Sequence, residues 1–273
     1  QQKMRVIATG FLSLGPKVLA EVDAKKMEMD IIDEQINTLG QAFLGLTLGC
    51  ARCHDHKFDP VSMDDYYGLV GIFQSTRTME HFSKVARWYE NSIASEKQNQ
   101  QKKIHDRQVV EIKESIEKVI GEERIRLNLK SQTEDMENQD AESMFSETVR
   151  VKLATLRERL KHQESNLPEQ PTALGVAEGT ISDSHMYVRG NHLEPGPSVP
   201  RHLPVNLSYS RQNEFSSTDS GRMQLAEWLV DHDHPLTSRV MVNRIWRWHF
   251  GRGLVRSPDN FGKLGEKPFN QPL

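Results

Sequence analysis

Cysteine is nearly absent: the chain has 273 residues and 2 cysteines. Two thiols cannot build the disulfide framework that holds small secreted domains together, so any fold must rest on a hydrophobic core. Long apolar runs are also missing. No stretch approaches the roughly 20 consecutive apolar residues that a membrane-crossing helix needs. Hydrophobic residues make up 36% of the chain and charged residues 27%, with a mean hydropathy of -0.63, the balance of a soluble protein. A dominant charge is lacking too. The 35 Lys and Arg nearly cancel the 38 Asp and Glu, leaving a net charge of -3, so there is no basic footprint for nucleic acid. No signal peptide is visible. The chain begins at Gln1 without an initiator Met and stops abruptly at Leu273, so it reads as a fragment or processed form, and the missing signal does not decide its compartment. The length suits one large domain or two modest ones.

Both cysteines fall in one motif, Cys50-Ala51-Arg52-Cys53-His54. This Cys-x-x-Cys-His spacing is the attachment signature of c-type haem. Each thiol can add to one porphyrin vinyl group to give a thioether. The His that follows the second Cys is then held beneath the ring as the proximal iron ligand. The competing readings are a chance Cys-x-x-Cys, a zinc site and a redox dithiol. Zinc would need a mixed set of Cys50, Cys53, His54 or His56, and Asp59, without the second knuckle of a structural site. A thioredoxin-like dithiol expects a strand before the motif and a helix after it, whereas here a helical pattern precedes it. A Cys nucleophile with a His base finds no other support.

The helical pattern runs from Asp30 to Leu48. Ile32, Ile36, Leu39, Phe43 and Leu46 recur at spacings of four, three, four and three, one face of a helix. Gly40, Gly45 and Gly49 weaken that helix by propensity but admit a close neighbour, either a porphyrin face or another helix. Gly49 is expected to end the helix and deliver the motif. Residues 6–12 read as a helix end or buried loop. Asp55 to Pro60 reads as a loop. Ser62 reads as an N-cap with Asp64 and Asp65 in the first turn, ahead of a short buried helix carrying Tyr66, Tyr67, Leu69, Val70, Ile72 and Phe73.

Residues 91–166 are dense in charge and carry two narrow apolar stripes. Val109, Ile112, Ile116 and Val119 form one, and Val149, Leu153, Leu156 and Leu160 the other. They predict two long helices in an antiparallel hairpin, either a solvated spacer or a partner-binding arm, with a loose tip at 128–143. Residues 167–220 are extended and rich in Pro and Gly, with short strands expected at Thr172–Val176 and His185–Arg189. His185, His192 and His202 lie here, and a lone His in such a segment is usually a polar contact. Leu225, Trp228 and Leu229 mark one further helix. Another is expected from about Thr237 to Phe250, apolar nearly all round and so buried rather than a DNA-reading helix. Arg239, Arg244, Arg247 and Arg252 give it a local positive edge, available to haem propionates or to the acidic hairpin.

Three long stretches carry a family likeness: LGQAFLGLTLGCARCHDHKFDPVSMDDYYGLVGIFQSTRTME, HMYVRGNHLEPGPSVPRHLP and RMQLAEWLVDHDHPLTSRVMVNRIWRWHFGRGLVRSPDNFGKLGEKP. Together they resemble the planctomycete-type proteins in which a cytochrome c-like module is followed by two domains of unknown function, the PSCyt and PSD families. The resemblance implies an exported, haem-associated, multidomain protein and supplies no reaction. It also strengthens the fragment reading, since the upstream cytochrome module and the rest of the C-terminal domain lie outside this chain.

The expected fold is mainly α: a helical haem-c-type domain at 1–90, a long antiparallel helical hairpin at 91–166, an extended linker with short β strands at 167–220, and the start of a second helical domain at 221–273. The expected cofactor is covalent haem c on Cys50 and Cys53 with His54 on the iron. The use is electron transfer rather than stand-alone catalysis, in the periplasm or at the cell surface, with a redox protein or upstream cytochrome module as partner and no nucleic acid. The alternative is a haem-free structural or protein-binding module. For the distal side of the iron, His56 is excluded by reach, because two residues span only about 7 Å and cannot round a porphyrin edge. Pro60 and the following helix start aim Met63 away. Met79 is favoured, with His81 or a five-coordinate iron as alternatives.

Overall fold

The computed structural model describes residues 2–127, 142–208 and 215–269. These form two compact units, residues 1–91 with 173–273, and residues 92–172. Helices carry most of the regular structure, the strands are short, and no closed sheet is present among the described residues. None of the described helices is long and apolar enough to cross a membrane.

The first unit begins with α1 (Gln2–Thr9) and a tight turn at Gly10–Ser13. Helix α2 (Ala24–Leu39) starts where the Asp23 carboxylate accepts the backbone N–H groups of Lys25 and Lys26, both at 3.0 Å, satisfying two of the donors every helix start leaves free. It ends earlier than its apolar stripe predicts. After Leu39 the chain widens into a π turn at Gly40–Leu44, swings left-handed at Gly45 (φ +62°) and re-forms as a 3-10 turn at Leu48–Arg52. The stripe misleads because Leu44, Leu46 and Leu48 enter the same core as Ile32, Ile36 and Leu39 after the helix has stopped. The three glycines serve this tight course and are closed off by the protein's own atoms. A Cβ at Gly40 would lie 2.7 Å from Leu48, one at Gly45 2.8 Å from Phe261, and one at Gly49 2.2 Å from Asn37. Close packing, not an open porphyrin face, accounts for them.

Helix α3 (Met63–Gln74) is the core of this unit. Ser62 and Asp65 form the reciprocal cap that the sequence signals, and Tyr66, Tyr67, Leu69, Val70, Ile72 and Phe73 are all buried. After it come β1 (Thr76–Arg77), β2 (Met79–His81), β3 (Arg87–Trp88) and β4 (Glu90–Ser92). Strands β2 and β3 pair antiparallel, Met79 opposite Trp88.

The second unit contains α4 (Glu96–Arg126) and α5 (Glu147–Ser165). The two helices run antiparallel: His105 reaches the Gln163 carbonyl (2.9 Å), and Glu123 accepts the Ser146 N–H (3.1 Å). Val119, Phe145 and Leu153 are buried between them, flanked by Ile116, Val149 and Leu156. Residues 128–141, most of the expected tip, lie outside the described residues.

The chain then returns to the first unit. Strand β5 (Thr172–Leu174) precedes β6 (Ala177–Glu178), which pairs antiparallel with β1. Strands β7 (Ser184–Tyr187) and β8 (Pro195–Val199) form a hairpin. Helix α6 (Arg222–Leu229) buries Leu225, Trp228 and Leu229 in the core that holds α2 and α3. Helix α6 and the 173–208 segment thus belong to the same compact unit as α2 and α3. Helix α7 (Thr237–Phe250) also departs from expectation. Only Val240 and Asn243 are buried, while Trp248 is 78% and Phe250 66% exposed. Its apolar residues are spread round the helix, but only one narrow side meets the rest of the unit.

Candidate functional site

The motif Cys50–His54 sits on a built support. Asp30, Asp33 and Asn37 share one polar side of α2, beside its apolar stripe. Asn37 Oδ1 accepts the Gly49 N–H at 2.7 Å. Arg52 reaches Asp30 Oδ1 at 2.9 Å and Asp33 Oδ2 at 3.6 Å. Tyr66, with no exposed surface, donates its hydroxyl to Asp33 Oδ1 at 2.5 Å. Burial pushes the Asp33 carboxyl above its ordinary range, against the pull of the Tyr66 hydroxyl and Arg52. Burial and Asp33 together hold Tyr66 far above a free phenol. Tyr67 donates to the Arg52 carbonyl at 2.9 Å, and burial raises it to about 12. Both phenols therefore stay protonated, as donors must. The motif's middle residue is thus anchored through its side chain and its carbonyl.

The reactive groups stand outside this support. Cys50 and Cys53 are free thiols and both are exposed. The exposed His54 ring places Nδ1 2.8 Å from the Asp55 carbonyl oxygen. A carbonyl only accepts, so Nδ1 carries the proton and the Nε2 lone pair is unshared. His56 has the opposite arrangement. Its Nδ1 accepts the Asp59 N–H at 2.8 Å and the Phe58 N–H at 3.3 Å, so its lone pair is spent on the loop. The two neighbouring histidines are thus separated by their tautomers as well as by their place in the motif.

Other candidates fall elsewhere. Met79, favoured as distal ligand, is 3% exposed and packs with Met27, Ile31 and Ala86 in a second cluster. Met27 and Ile31 lie on a different side of α2 from Asp30 and Asp33, so Met79 packs in a separate cluster from the one that holds the motif's support. His81 is at the surface, beside the Ser83 hydroxyl. The mixed zinc set is not assembled either. Asp59 Oδ1 accepts the Lys263 N–H at 2.8 Å, and among the described residues no three His, Cys, Asp or Glu converge to hold a metal. His192 pairs with Asp23 at 2.8 Å, and His202 Nδ1 meets the Leu203 carbonyl at 3.0 Å.

The β7–β8 turn, which sequence reasoning passed over, also meets the motif. Gly190 (φ +74°) lies so close to Cys53 that a Cβ there would be 2.7 Å from its Sγ.

A family profile, PSCyt2, described as a protein of unknown function (DUF1549), matches residues 1–78. A second, PSD1, also described as a protein of unknown function (DUF1553), matches residues 221–273. The two ends of the chain are thus similar to the paired PSCyt2 and PSD1 domains. The PSCyt2 segment holds the motif and the α2 support. The PSD1 segment reaches back to it. Arg244 donates to the carbonyls of Gln41 and Ala42 in the π turn, the Phe261 N–H donates to the Gly45 carbonyl at 2.6 Å, and Lys263 holds Asp59. Arg244, one of four arginines considered for propionates, is thereby committed to the protein itself. No curated protein and no solved structure matches the chain.

Proposed function

We propose that Cys50 and Cys53 carry a covalent haem c with His54 as axial ligand, and that the protein passes electrons through it. The observation that carries this reading is the His54 tautomer. A ligating His typically donates its other ring N–H to a carbonyl, which fixes the ring and makes the ligating nitrogen more basic. His54 does this with Asp55, and the residue is exposed. The donor set fits the group: two exposed thiols and one oriented imidazole are what attachment requires, and a converging three-ligand cluster is not. Each thiol adds across one vinyl group, sulfur to one carbon and its hydrogen to the other, with no oxidant and no leaving group. Haem, when bound, supplies a one-electron iron couple. The chain's contribution is to hold the motif, through Arg52 on Asp30 and Asp33 and through Gly49 on Asn37.

In this reading the unit of residues 1–91 and 173–273 is the haem-bearing part, and the α4–α5 pair is a spacer. Thioether attachment in bacteria takes place outside the cytoplasm, which favours a periplasmic or cell-surface protein whose partner is a redox protein or an upstream cytochrome module. The rival is a haem-free structural module, and the self-filled glycines before the motif favour it.

Expression with export and the c-type maturation machinery separates the two. Haem stain should stay with the chain through denaturing electrophoresis, and C50S/C53S should abolish it. A wild-type chain that emerges colourless, or stain that persists in the double variant, refutes the assignment.

A further inference from the structure

We propose that Arg189 is a positioning residue for this group, pairing its guanidinium with a haem propionate at the Cys53 side of the motif; the inference rests on the haem reading above. Arg189 has φ +50° and Gly190 φ +74°. Consecutive left-handed residues suit a tight hairpin turn, but the first carries a Cβ, and outside Gly, Asn and Asp this backbone is sparsely populated. Such an outlier points to a position held for a purpose. The turn is held from several directions. Val188 donates to the Glu194 carbonyl at 3.0 Å, Glu194 to the Asn191 carbonyl at 2.9 Å, and Leu193 to Asn191 Oδ1 at 3.1 Å.

The turn is also registered on the motif. Gly190 abuts both Cys53 Sγ and the Arg52 side chain. One phenol, Tyr67, lies 2.9 Å from the Arg52 carbonyl and 3.5 Å from the Tyr187 carbonyl at the start of the turn. The support thus places an exposed cation one residue from the glycine that touches the attachment thiol. Two other arginines are already engaged. Arg52 is spent on Asp30 and Asp33, and Arg244 on the π turn and Asp259. Arg189 is exposed and has no hydrogen-bond or ion-pair partner among the described residues. An exposed thiol beside an exposed, unpartnered guanidinium suits a porphyrin bonded to sulfur there, whose carboxylates need a planar, two-pronged donor.

The test uses the mature haem protein and three forms: wild type, R189G and R189K. Glycine adopts φ +50° freely, so R189G removes the charge without straining the turn. A nearby cation favours the reduced iron and the ionised propionate. R189G should therefore lower the reduction equilibrium constant about threefold to tenfold, a fall of up to about 59 mV for a one-electron couple. It should also give the potential a new pH dependence between about pH 5 and 7, as the unpaired propionate begins to titrate. R189K should restore part of both. A loaded R189G protein with the wild-type potential and pH profile overturns the role of Arg189 and leaves the haem assignment standing. A wild-type chain that takes up no covalent haem overturns both.

Discussion

Gly45→Ala tests how the two family segments depend on each other. Gly45 ends the π turn at φ +62°, and a Cβ there would sit 2.8 Å from Phe261 Cδ2 and 3.1 Å from Val240 Cγ2. Two costs are separable. Forcing an L-residue left-handed costs about 1–2 kcal/mol, and overpacking a filled site costs about 1–3 kcal/mol. Alanine's reduced freedom in the unfolded chain returns about 0.4–1 kcal/mol. The net expectation is a loss of about 2–4 kcal/mol. All four tryptophans, Trp88, Trp228, Trp246 and Trp248, lie in the first unit, so tryptophan fluorescence in urea follows that unit alone. Phe261→Ala supplies the control, because without the ring the steric part disappears and the backbone part remains. G45A should then cost only about 0–1.5 kcal/mol, and the double-mutant cycle should close with a coupling of about 1–3 kcal/mol. A G45A loss below about 1 kcal/mol, or strict additivity with F261A, would refute the claim that the PSD1 segment presses on the PSCyt2 turn.

Two pH effects follow from single groups. His234 is 5% exposed, accepts the Thr237 N–H at Nδ1 (3.2 Å), and is held below its ordinary pKa by burial against an opposing pull from Asp231. Its contribution is complete above the unfolded value near 6.5 and declines as pH falls through the folded value. The first unit should lose urea resistance below about pH 6.5, H234N should flatten that slope, and an unchanged slope would refute the assignment. In the second unit, Arg126 and the Ser146 N–H hold Glu123 down to about 2. Its stabilisation is therefore present above about pH 4.3 and lost as pH falls towards 2. Thermal melts of helicity should show E123Q weaker than wild type at pH 7 and converging with it near pH 2, and a constant gap would count against this role.

What the sequence announced, it announced through short-range chemistry. Ser62 with Asp65, the α4 and α5 stripes and the buried helix around Tyr66 follow from caps and spacing alone, and the motif is legible because its chemistry needs contiguous residues. The support beneath it is a different matter. Asp30, Asp33 and Asn37 can be read as one polar side of α2, but nothing local says that Arg52 and Gly49 will meet it. Likewise Gly190 touches Cys53 across more than a hundred residues. The false continuation of α2 to Leu48 has a specific cause: burial persists where the helix does not, and periodicity records burial. Helix α7 misled in the converse way, with apolar residues on every side and only one side covered.

The insertion of α4 and α5 bears on how the first unit assembles. Its core joins Ile36 and Tyr67 to Tyr187, Val199 and Leu225, so the early half must wait for residues made much later. As flexible chain, the intervening segment would tax this closure by about 2–3 kcal/mol relative to a short loop. A preformed α4–α5 pair removes most of that tax, because the Ile93 N–H meets the Pro171 carbonyl at 3.0 Å and the ends of the insertion leave side by side. Helix pairs form early, from local contacts. Formed first, the α4–α5 pair would shorten the search between two halves of one core.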